Sequence, residues 1–288
     1  MDHPPRLDVS ALLRAQGAGD PPEVPARPAP LAARARLRFA VAQALARGRM
    51  RFHFQPAVRA GAPDFVAFYE MLARMTAADG QVLPASAFID QVEDNEIGRT
   101  IDRLALETAL AELAAAPALR LSVNMSPLSM GDADWLAILA EGAQRLGRQV
   151  TGRLILEITE TAAIAQSGQT CDFMDHVRGH GCAFALDDFG AGATGFRYFR
   201  DFRFDMVKLD GCFVEGVARS PDAQALVGCL LSAARHFEMM VVAERVETEA
   251  EADWLAANGV DCLQGFLIGR PAAAPELPAL PLPCRAVG

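Results

Sequence analysis

A regular alternation of short apolar segments and longer amphipathic segments begins near Arg51. Short apolar runs predict strands, repeats at helical spacing between them predict crossover helices, and the alternation is typical of a parallel sheet. The eight predicted strands begin at Arg51, Phe65, Leu119, Arg153, Cys182, Met206, Met239 and Cys262. The clearest predicted helices span residues 97–113, 134–146, 221–237 and 247–257.

The first two predicted strands are separated only by RAGAPD. Because a parallel crossover needs about a dozen residues or more, these two strands are expected to form an antiparallel hairpin. Eight strands within about 220 residues, without a GxGxxG segment after the first strand, favour a closed barrel over an open doubly wound sheet. We therefore expect an α/β fold: an imperfect TIM-like (β/α)8 barrel whose first strand is antiparallel to the rest.

The regions outside this pattern differ in composition. Residues 1–30 are rich in Pro and Ala and predict a disordered tail, residues 31–49 predict an N-terminal helix, residues 50–274 the barrel and residues 275–288 a C-terminal tail. The N-terminus has no apolar signal-peptide core, and no apolar run reaches the roughly 18 residues of a membrane-spanning helix. We expect a cytoplasmic protein with no membrane span.

Composition and charge narrow the classes of function. Hydrophobic residues make up 51% of the 288, enough for a large core, and the formal net charge is -9. An acidic chain is a poor binder of DNA or RNA polymers, so an anionic substrate would need a local positive site such as a bound metal ion. The six cysteines lack CxxC spacing and are expected to be buried free thiols, and none of the five histidines falls at a strand end.

Polar residues, most of them acidic, fall at the ends of the predicted strands, where barrels of this type carry catalytic groups. Clustered carboxylates repel one another unless a cation compensates them, and an all-oxygen ligand set suits Mg²⁺ or Mn²⁺ better than Zn²⁺. The adjacent acids Asp187 and Asp188 could serve two ions, provided that the strand ends there and Gly190 allows a sharp exit. The residues concerned are Glu70, Asn124, Glu157, Asp187, Asp188, Lys208, Asp210 and Glu244, with Gln264 in the last strand.

Lys208 leaves more than one interpretation open. In a metal site it would position or help to deprotonate a water molecule and neutralise charge in the transition state, whereas in an aldolase it would form a Schiff base. Several acids around the ammonium would keep it protonated, which disfavours the Schiff base. A structural ion pair with Asp210 or Asp188 is the third interpretation.

Eight segments, in order between Arg51 and Pro271, resemble the signature segments of EAL-domain cyclic di-GMP phosphodiesterases: FQPAV, YEMLAR, SVNMSP, LEITE, LDDFGAG, VKLD, AERVE and LQGFLIGRP. The resemblance implies hydrolysis of cyclic di-GMP to linear pGpG, dependence on Mg²⁺ or Mn²⁺ with two ions bound, and a homodimer.

The same resemblance implies roles for individual residues. Lys208, Glu244 and Glu70 would be catalytic, with Lys208 and Glu244 preparing the water. Arg74 would meet a substrate phosphate, and Gln55 and Gln264 would lie near guanine. Glu160 would support the loop after the fifth strand, and Glu247 would support the site from behind its ligands. The implied metal ligands are Glu70, Asn124, Glu157, Asp187, Asp188, Asp210 and Glu244.

Three departures from the family pattern stand out. Met71 replaces the alanine of the signature and is expected to pack, since it faces away from Glu70; Arg245 stands where glycine is typical; and the loop after DDFGAG reads Ala193-Thr194-Gly195. The main alternative function is a catalytically weak or inactive EAL-type cyclic di-GMP receptor that acts through a protein partner. A lyase or aldolase barrel is the third hypothesis, and it explains neither Asn124 nor the acid pair.

Overall fold

The apolar segments of the chain form strands that close on themselves. The computed structural model describes residues 30–159, 167–190, 199–200 and 202–276. The strands within these residues are β1 (Met50–Arg59), β2 (Ala62–Thr76), β3 (Val82–Pro84), β4 (Leu121–Asn124), β5 (Leu154–Thr159), β6 (Ala183–Phe189), β7 (Met206–Leu209), β8 (Met240–Ala243) and β9 (Cys262–Gln264).

The order of the strands defines a closed barrel. Neighbours run β1-β9-β8-β7-β6-β5-β4-β2, and a further pairing of β1 with β2 completes the ring of eight. β1 is antiparallel to both of its neighbours, whereas the pairs from β2–β4 round to β8–β9 are parallel. The predicted TIM-like barrel with an antiparallel first strand and an opening hairpin is confirmed. The sequence did not predict β3, a short strand that pairs with β2 outside the ring.

Helices connect most of the parallel strands, as the amphipathic segments predict. The described helices are α1 (Pro30–Ala46), α2 (Glu96–Ala115), α3 (Ala133–Leu146), α4 (Arg148–Thr151), α5 (Ser167–Gly179), α6 (Gly211–Val214), α7 (Pro221–His236) and α8 (Glu249–Ala257). Short 3-10 helices lie at Ala85–Ala87, Ile89–Gln91 and Pro127–Gly131. The helix predicted from residue 247 begins two residues later, because Thr248 and Glu251 form a reciprocal capping box at its start.

The buried apolar residues form two clusters. The larger one contains the buried face of the helices and the outward-facing strand residues, among them Met71, which packs as predicted. The smaller one lies on the inward-facing strand positions, with one residue from each of seven strands: Ala57, Phe68, Ile155, Ala185, Met206, Val242 and Cys262. This inner apolar layer fills the barrel, as expected when alternate strand residues point to opposite faces.

Several predictions lie outside the described residues: the tail before residue 30, the segment after residue 276, Glu160, and the loop at Ala193–Gly195. Within the described residues, no helix combines the length and apolarity needed to cross a bilayer. Cys182, Cys212, Cys229 and Cys262 are free thiols, as predicted, but Cys212 and Cys229 are exposed. The prediction of burial is wrong for these two, because the apolar sequence around them belongs to helices that present one side to solvent.

Candidate active site

The polar residues of the site stand one layer above the inner apolar layer. Along each parallel strand that contributes to the inner apolar layer, the site residue follows the inner-layer residue by two positions, which keeps it on the same face of the sheet. In β1, which is antiparallel, it precedes Ala57 by two positions instead. The residues that this alternation places inside the mouth are Gln55, Glu70, Glu157, Asp187, Lys208, Glu244 and Gln264.

Lys208 lies at the centre of the acidic residues. It is the single lysine of the sequence, and it is 1% exposed. Its Nζ lies 2.7 Å from Glu244 Oε1, 2.9 Å from Glu157 Oε2, 3.0 Å from Asp187 Oδ1 and 3.4 Å from Glu70 Oε2. The sequence interpretation of an ion pair with Asp210 or Asp188 is therefore wrong about the partners, because the partners follow the alternation along β2, β5, β6 and β8.

Glu70 is held from both sides by amide groups. The Asn124 side chain donates to Glu70 Oε1 at 2.9 Å, and the Gln264 side chain donates to Glu70 Oε2 at 2.7 Å. All three residues come from different strands, β2, β4 and β9. Glu70 is thus fixed in one orientation at the junction where the antiparallel strand closes the barrel.

Burial and mutual repulsion shift the protonation of these groups. Burial would raise the pKa of Glu70, but Lys208 and the two amide donors hold that pKa below its usual range. Burial and the Glu70 charge raise the pKa of Glu157 well above its usual range, and burial raises the pKa of Glu244 to about 8 against the pull of Lys208. Burial would lower the pKa of Lys208, but the carboxylates, Asp187 foremost, raise it far above the usual value.

Asp188 reaches the site by an irregular backbone. The expectation that β6 ends at the acid pair is wrong. The strand continues to Phe189, with a shift of register against β7. Asp188 adopts a left-handed φ of 53° there, a conformation that redirects a side chain which would otherwise face outward. Carboxylate oxygens of Asp187, Asp188 and Glu244 consequently lie within 4.8 Å of one another.

Asp210 is engaged differently from the other acids. It caps α6, with Oδ1 accepting from the backbone N–H of Cys212 at 2.9 Å, and Oδ2 lies 3.4 Å from Arg245 Nη2. It is buried, but it is not part of the group formed by Asp187, Asp188 and Glu244.

The remaining predicted residues lie around the mouth. The Gln55 side chain donates to Gly269 O at 3.1 Å, and Gln55 is the register partner of Glu70 across the hairpin. Arg74, half-buried, lies four residues beyond Glu70 on β2, and its guanidinium donates to Ala73 O at 2.9 Å. Glu247 is exposed, and its backbone N–H donates to Glu251 Oε2 at 3.2 Å.

Two acidic residues that the sequence analysis did not single out organise the loops behind the site. Glu251 accepts from the backbone N–H groups of Gly216, Glu247 and Thr248, joining the loops after α6 and β8. The sequence signal for it was present, since a Thr followed three positions later by Glu is the signature of a capping box. Asp102 of α2 accepts from Ser126 N–H and from the Ser129 hydroxyl in the turn after β4.

The residues present fit a divalent cation. Four carboxylates share the single ammonium of Lys208, which leaves excess negative charge in a buried place. Glu157 Oε1 is buried without a hydrogen-bond donor among the described residues, and Asp187 Oδ1 is contacted there by Lys208 Nζ at 3.0 Å. Oxygen atoms that lack donors and carry negative charge are ligands for hard cations such as Mg²⁺.

Comparison with known proteins gives a consistent result. Residues 38–271 match the family model of the EAL domain. An uncharacterized signaling protein of Caulobacter vibrioides is 34% identical over 82% of this chain, and the Cyclic di-GMP phosphodiesterase PdeB of Shewanella oneidensis is 31% identical over 80% of it. The chain spans only 29% and 27% of the length of these two relatives. A solved structure described as "PaMucR Phosphodiesterase, c-di-GMP complex" is similar with a TM-score of 0.74 at 27% identity, covering 82% of this chain and 97% of that one.

Proposed function

Because this chain belongs to the EAL domain family, we propose that it is a metal-dependent phosphodiesterase that hydrolyses cyclic di-GMP to linear pGpG and so lowers this second messenger in bacterial signalling. The observation that carries the proposal is the group of four carboxylates that surrounds the buried ammonium of Lys208, three from different strands and the fourth, Glu244, directly after β8. The names of PdeB and of the MucR structure supply the nucleotide.

The cation belongs to the same proposal. Its ligands would come from Glu70, Asn124, Glu157, Asp187, Asp188, Asp210 and Glu244, and an all-oxygen set of this kind suits Mg²⁺ or Mn²⁺, with the acid pair allowing two ions. When bound, such ions act as Lewis acids toward a phosphoryl oxygen and make a water molecule more acidic. Excess carboxylate charge around one lysine supports the assignment.

The protein groups have separate tasks in the proposed reaction. The oxygen of a water molecule bonds to phosphorus, the bond from phosphorus to a ribose 3′ oxygen breaks, and that oxygen acquires a proton. We assign Glu244 to accept the proton of the water and Lys208 to hold Glu244 in place through their 2.7 Å contact. Asn124 and Gln264 keep the Glu70 carboxylate oriented, so that it does not reorganise during the reaction.

Recognition of the nucleotide is assigned to residues around the mouth. Arg74 would bind a phosphate, and Gln55 and Gln264 would lie near guanine. The side-chain N–H of Gln264 also donates to Glu70 Oε2. The Gln264 amide oxygen is buried without a hydrogen-bond donor among the described residues, which leaves it able to accept from a ligand. Glu160 and Glu247 would support the loops behind these groups.

The deciding experiment separates an enzyme from a receptor. Purified protein is incubated with cyclic di-GMP and Mg²⁺ or Mn²⁺, and the nucleotides are separated by chromatography. We expect linear pGpG to accumulate, and Glu70→Ala to abolish turnover, while Glu107→Ala, an exposed acid on α2, retains the wild-type rate. Nucleotide that binds but stays intact on prolonged incubation would establish the receptor instead, and a Glu70→Ala variant with the wild-type rate would refute the metal assignment.

Location and assembly are part of the proposal as well. We propose a cytoplasmic location because cyclic di-GMP is an intracellular messenger. We propose a homodimer because the family resemblance implies one. Light scattering of the purified chain would test the dimer: a mass close to twice 30.8 kDa supports it, and the monomer mass excludes it.

A further inference from the structure

Asp210 belongs to the proposed ligand set, but both of its carboxylate oxygens contact groups other than Lys208. Oδ1 accepts from Cys212 N–H at 2.9 Å, and Oδ2 faces the Arg245 guanidinium at 3.4 Å. The four acids around Lys208 share its ammonium at the centre of the site. Asp210 instead pairs with the Arg245 guanidinium at the rim. A metal ion that uses Asp210 Oδ2 therefore has to displace Arg245 or share the oxygen with it.

Arg245 is brought to this place by an unusual backbone conformation. It follows Glu244 directly after β8, and its φ of 52° lies in the left-handed region that residues other than glycine rarely adopt. The aliphatic part of the side chain lies over Gly211, where an added Cβ would come within 2.4 Å of Arg245 Cδ. The turn at Arg245 and the bare Gly211 together direct the guanidinium onto Asp210.

The ion pair between Arg245 and Asp210 joins an exposed arginine to a buried carboxylate. The Arg245 side chain is 70% exposed, whereas the Asp210 side chain is 8% exposed, so water screens the arginine and the carboxylate is largely desolvated. Ion pairs with a solvent-exposed partner contribute little free energy to stability. A divalent cation with several other ligands can therefore compete with Arg245 for Asp210 Oδ2.

We propose that Arg245 competes with the divalent cation for the Asp210 carboxylate and thereby weakens cation binding at the mouth of the barrel. The inference rests on the metal site of the proposed function, but it concerns affinity for the ion and needs no turnover. Arg245 is a positioning residue that acts through Asp210. The dissociation constant of the divalent cation therefore depends on the Arg245 side chain.

The single lysine allows a site-specific measurement. Protein labelled with ¹³C at the lysine ε-carbon has one such signal, from Lys208, and its shift during titration with Mg²⁺ gives the apparent dissociation constant of the site. We expect Arg245→Gly, which suits the left-handed backbone, to bind Mg²⁺ roughly two- to fivefold more tightly than wild type. Arg245→Lys keeps the charge and should stay within about twofold of wild type. Arg270→Gly, which removes an exposed arginine stacked 4.1 Å from the Phe266 ring, should leave the affinity unchanged.

A second background tests the route through Asp210. Asparagine caps helices as well as aspartate does, so Asp210→Asn retains the cap of α6 but removes the charge that Arg245 pairs with. In that background Arg245→Gly should no longer tighten Mg²⁺ binding. An unchanged or weaker affinity of Arg245→Gly, or a gain that persists fully with Asp210→Asn, would overturn the proposal while leaving a metal-dependent enzyme intact. A Lys208 signal that no concentration of Mg²⁺ shifts, in wild type and variants alike, would remove the metal site and with it both proposals.

Discussion

At the scale of single residues, Lys208 determines the charge balance of the site. Its ammonium is buried among Glu70, Glu157, Asp187 and Glu244, and removal of one partner from a buried ionic group leaves the others uncompensated. In the absence of metal the lysine is therefore a structural cation, in addition to the catalytic role proposed for it. A bound divalent ion can take over part of the first task.

The substitution Lys208→Met keeps an unbranched side chain, shorter by one atom, and removes the charge. In EDTA we expect the free energy of unfolding, measured with urea, to fall by about 3–5 kcal/mol. Saturating Mg²⁺ should stabilise this variant more than it stabilises wild type, because ligand binding to the folded state adds to stability and the uncompensated acids bind the ion more tightly. Arg219→Met, at an exposed arginine, is the matched control and should change little. A Lys208→Met protein as stable as wild type in EDTA would show that the four contacts do not hold the acids together.

At the scale of elements, the turn after β4 connects a helix to the site. Asp102 of α2 accepts from Ser126 N–H at 2.9 Å and from Ser129 Oγ at 2.6 Å, just beyond Asn124. Because Ser126 follows Asn124 by two residues, we expect this turn to help position the Asn124 amide, which donates to Glu70 Oε1. Helix α2 contacts this turn through one buried carboxylate.

Burial raises the pKa of Asp102 above its ordinary value, although the hydrogen bonds from Ser129 and Ser126 oppose the shift. The folded protein therefore binds the proton more tightly than the unfolded chain, so the stability associated with it is fully present below the unfolded pKa and is lost as pH rises through the folded pKa. Asp102→Asn cannot ionise and can still accept both hydrogen bonds. We expect the unfolding free energy of Asp102→Asn to gain on that of wild type as pH increases from about 4 to 7.

The comparison is made by urea unfolding at several pH values. Asp102→Ala serves as the contrast, because it leaves the two donors unpaired and should cost about 1–3 kcal/mol at every pH. A difference between Asp102→Asn and wild type that is constant with pH, or that moves the other way, would contradict the raised pKa.

The strands and the acids at their ends could be predicted from the sequence, because apolar runs and hairpin length are local signals. β3 could not, since three residues that include Pro84 carry no alternation. The spacing of two residues between the inner layer and the site was available in the sequence, for example from Met206 to Lys208, and would have identified the four partners of the lysine. Contacts such as Gln264 on Glu70 or Arg245 on Asp210 depend on side-chain directions across neighbouring strands, which no local pattern specifies.

At the scale of the whole molecule, the site depends on how the barrel closes. The antiparallel β1 joins β2 to β9, and Gln264 at the end of β9 holds Glu70 of β2. Immediately after Gln264, the chain packs its backbone against Val246: the Val246 N–H donates to Gln264 O at 3.0 Å, and Leu267 N–H donates to Val246 O at 3.1 Å. This close contact fixes the end of the last strand.

Gly265 is required for that approach. A Cβ at this position would lie 2.2 Å from Val246 O and 2.3 Å from Val246 N, which are backbone atoms that cannot move aside alone. We expect Gly265→Ala to lower the unfolding free energy by about 1–3 kcal/mol, and to lower turnover by displacing Gln264. The same change at Gly228 within α7, where an added Cβ meets nothing within 4 Å, should raise stability by about 0.5–1 kcal/mol. Equal effects of the two substitutions would show that the end of β9 is not tightly packed.

We propose that the carboxylates around Lys208 hold a divalent cation with which this chain opens cyclic di-GMP. The most direct measurement is the rate of pGpG formation by protein freed of metal with EDTA, as Mn²⁺ is added back. We expect no turnover without metal, a rate that rises to saturation with Mn²⁺, and no recovery at any Mn²⁺ concentration for Glu70→Ala. Formation of pGpG at an undiminished rate in EDTA, or the absence of product at saturating Mn²⁺, would contradict the proposal.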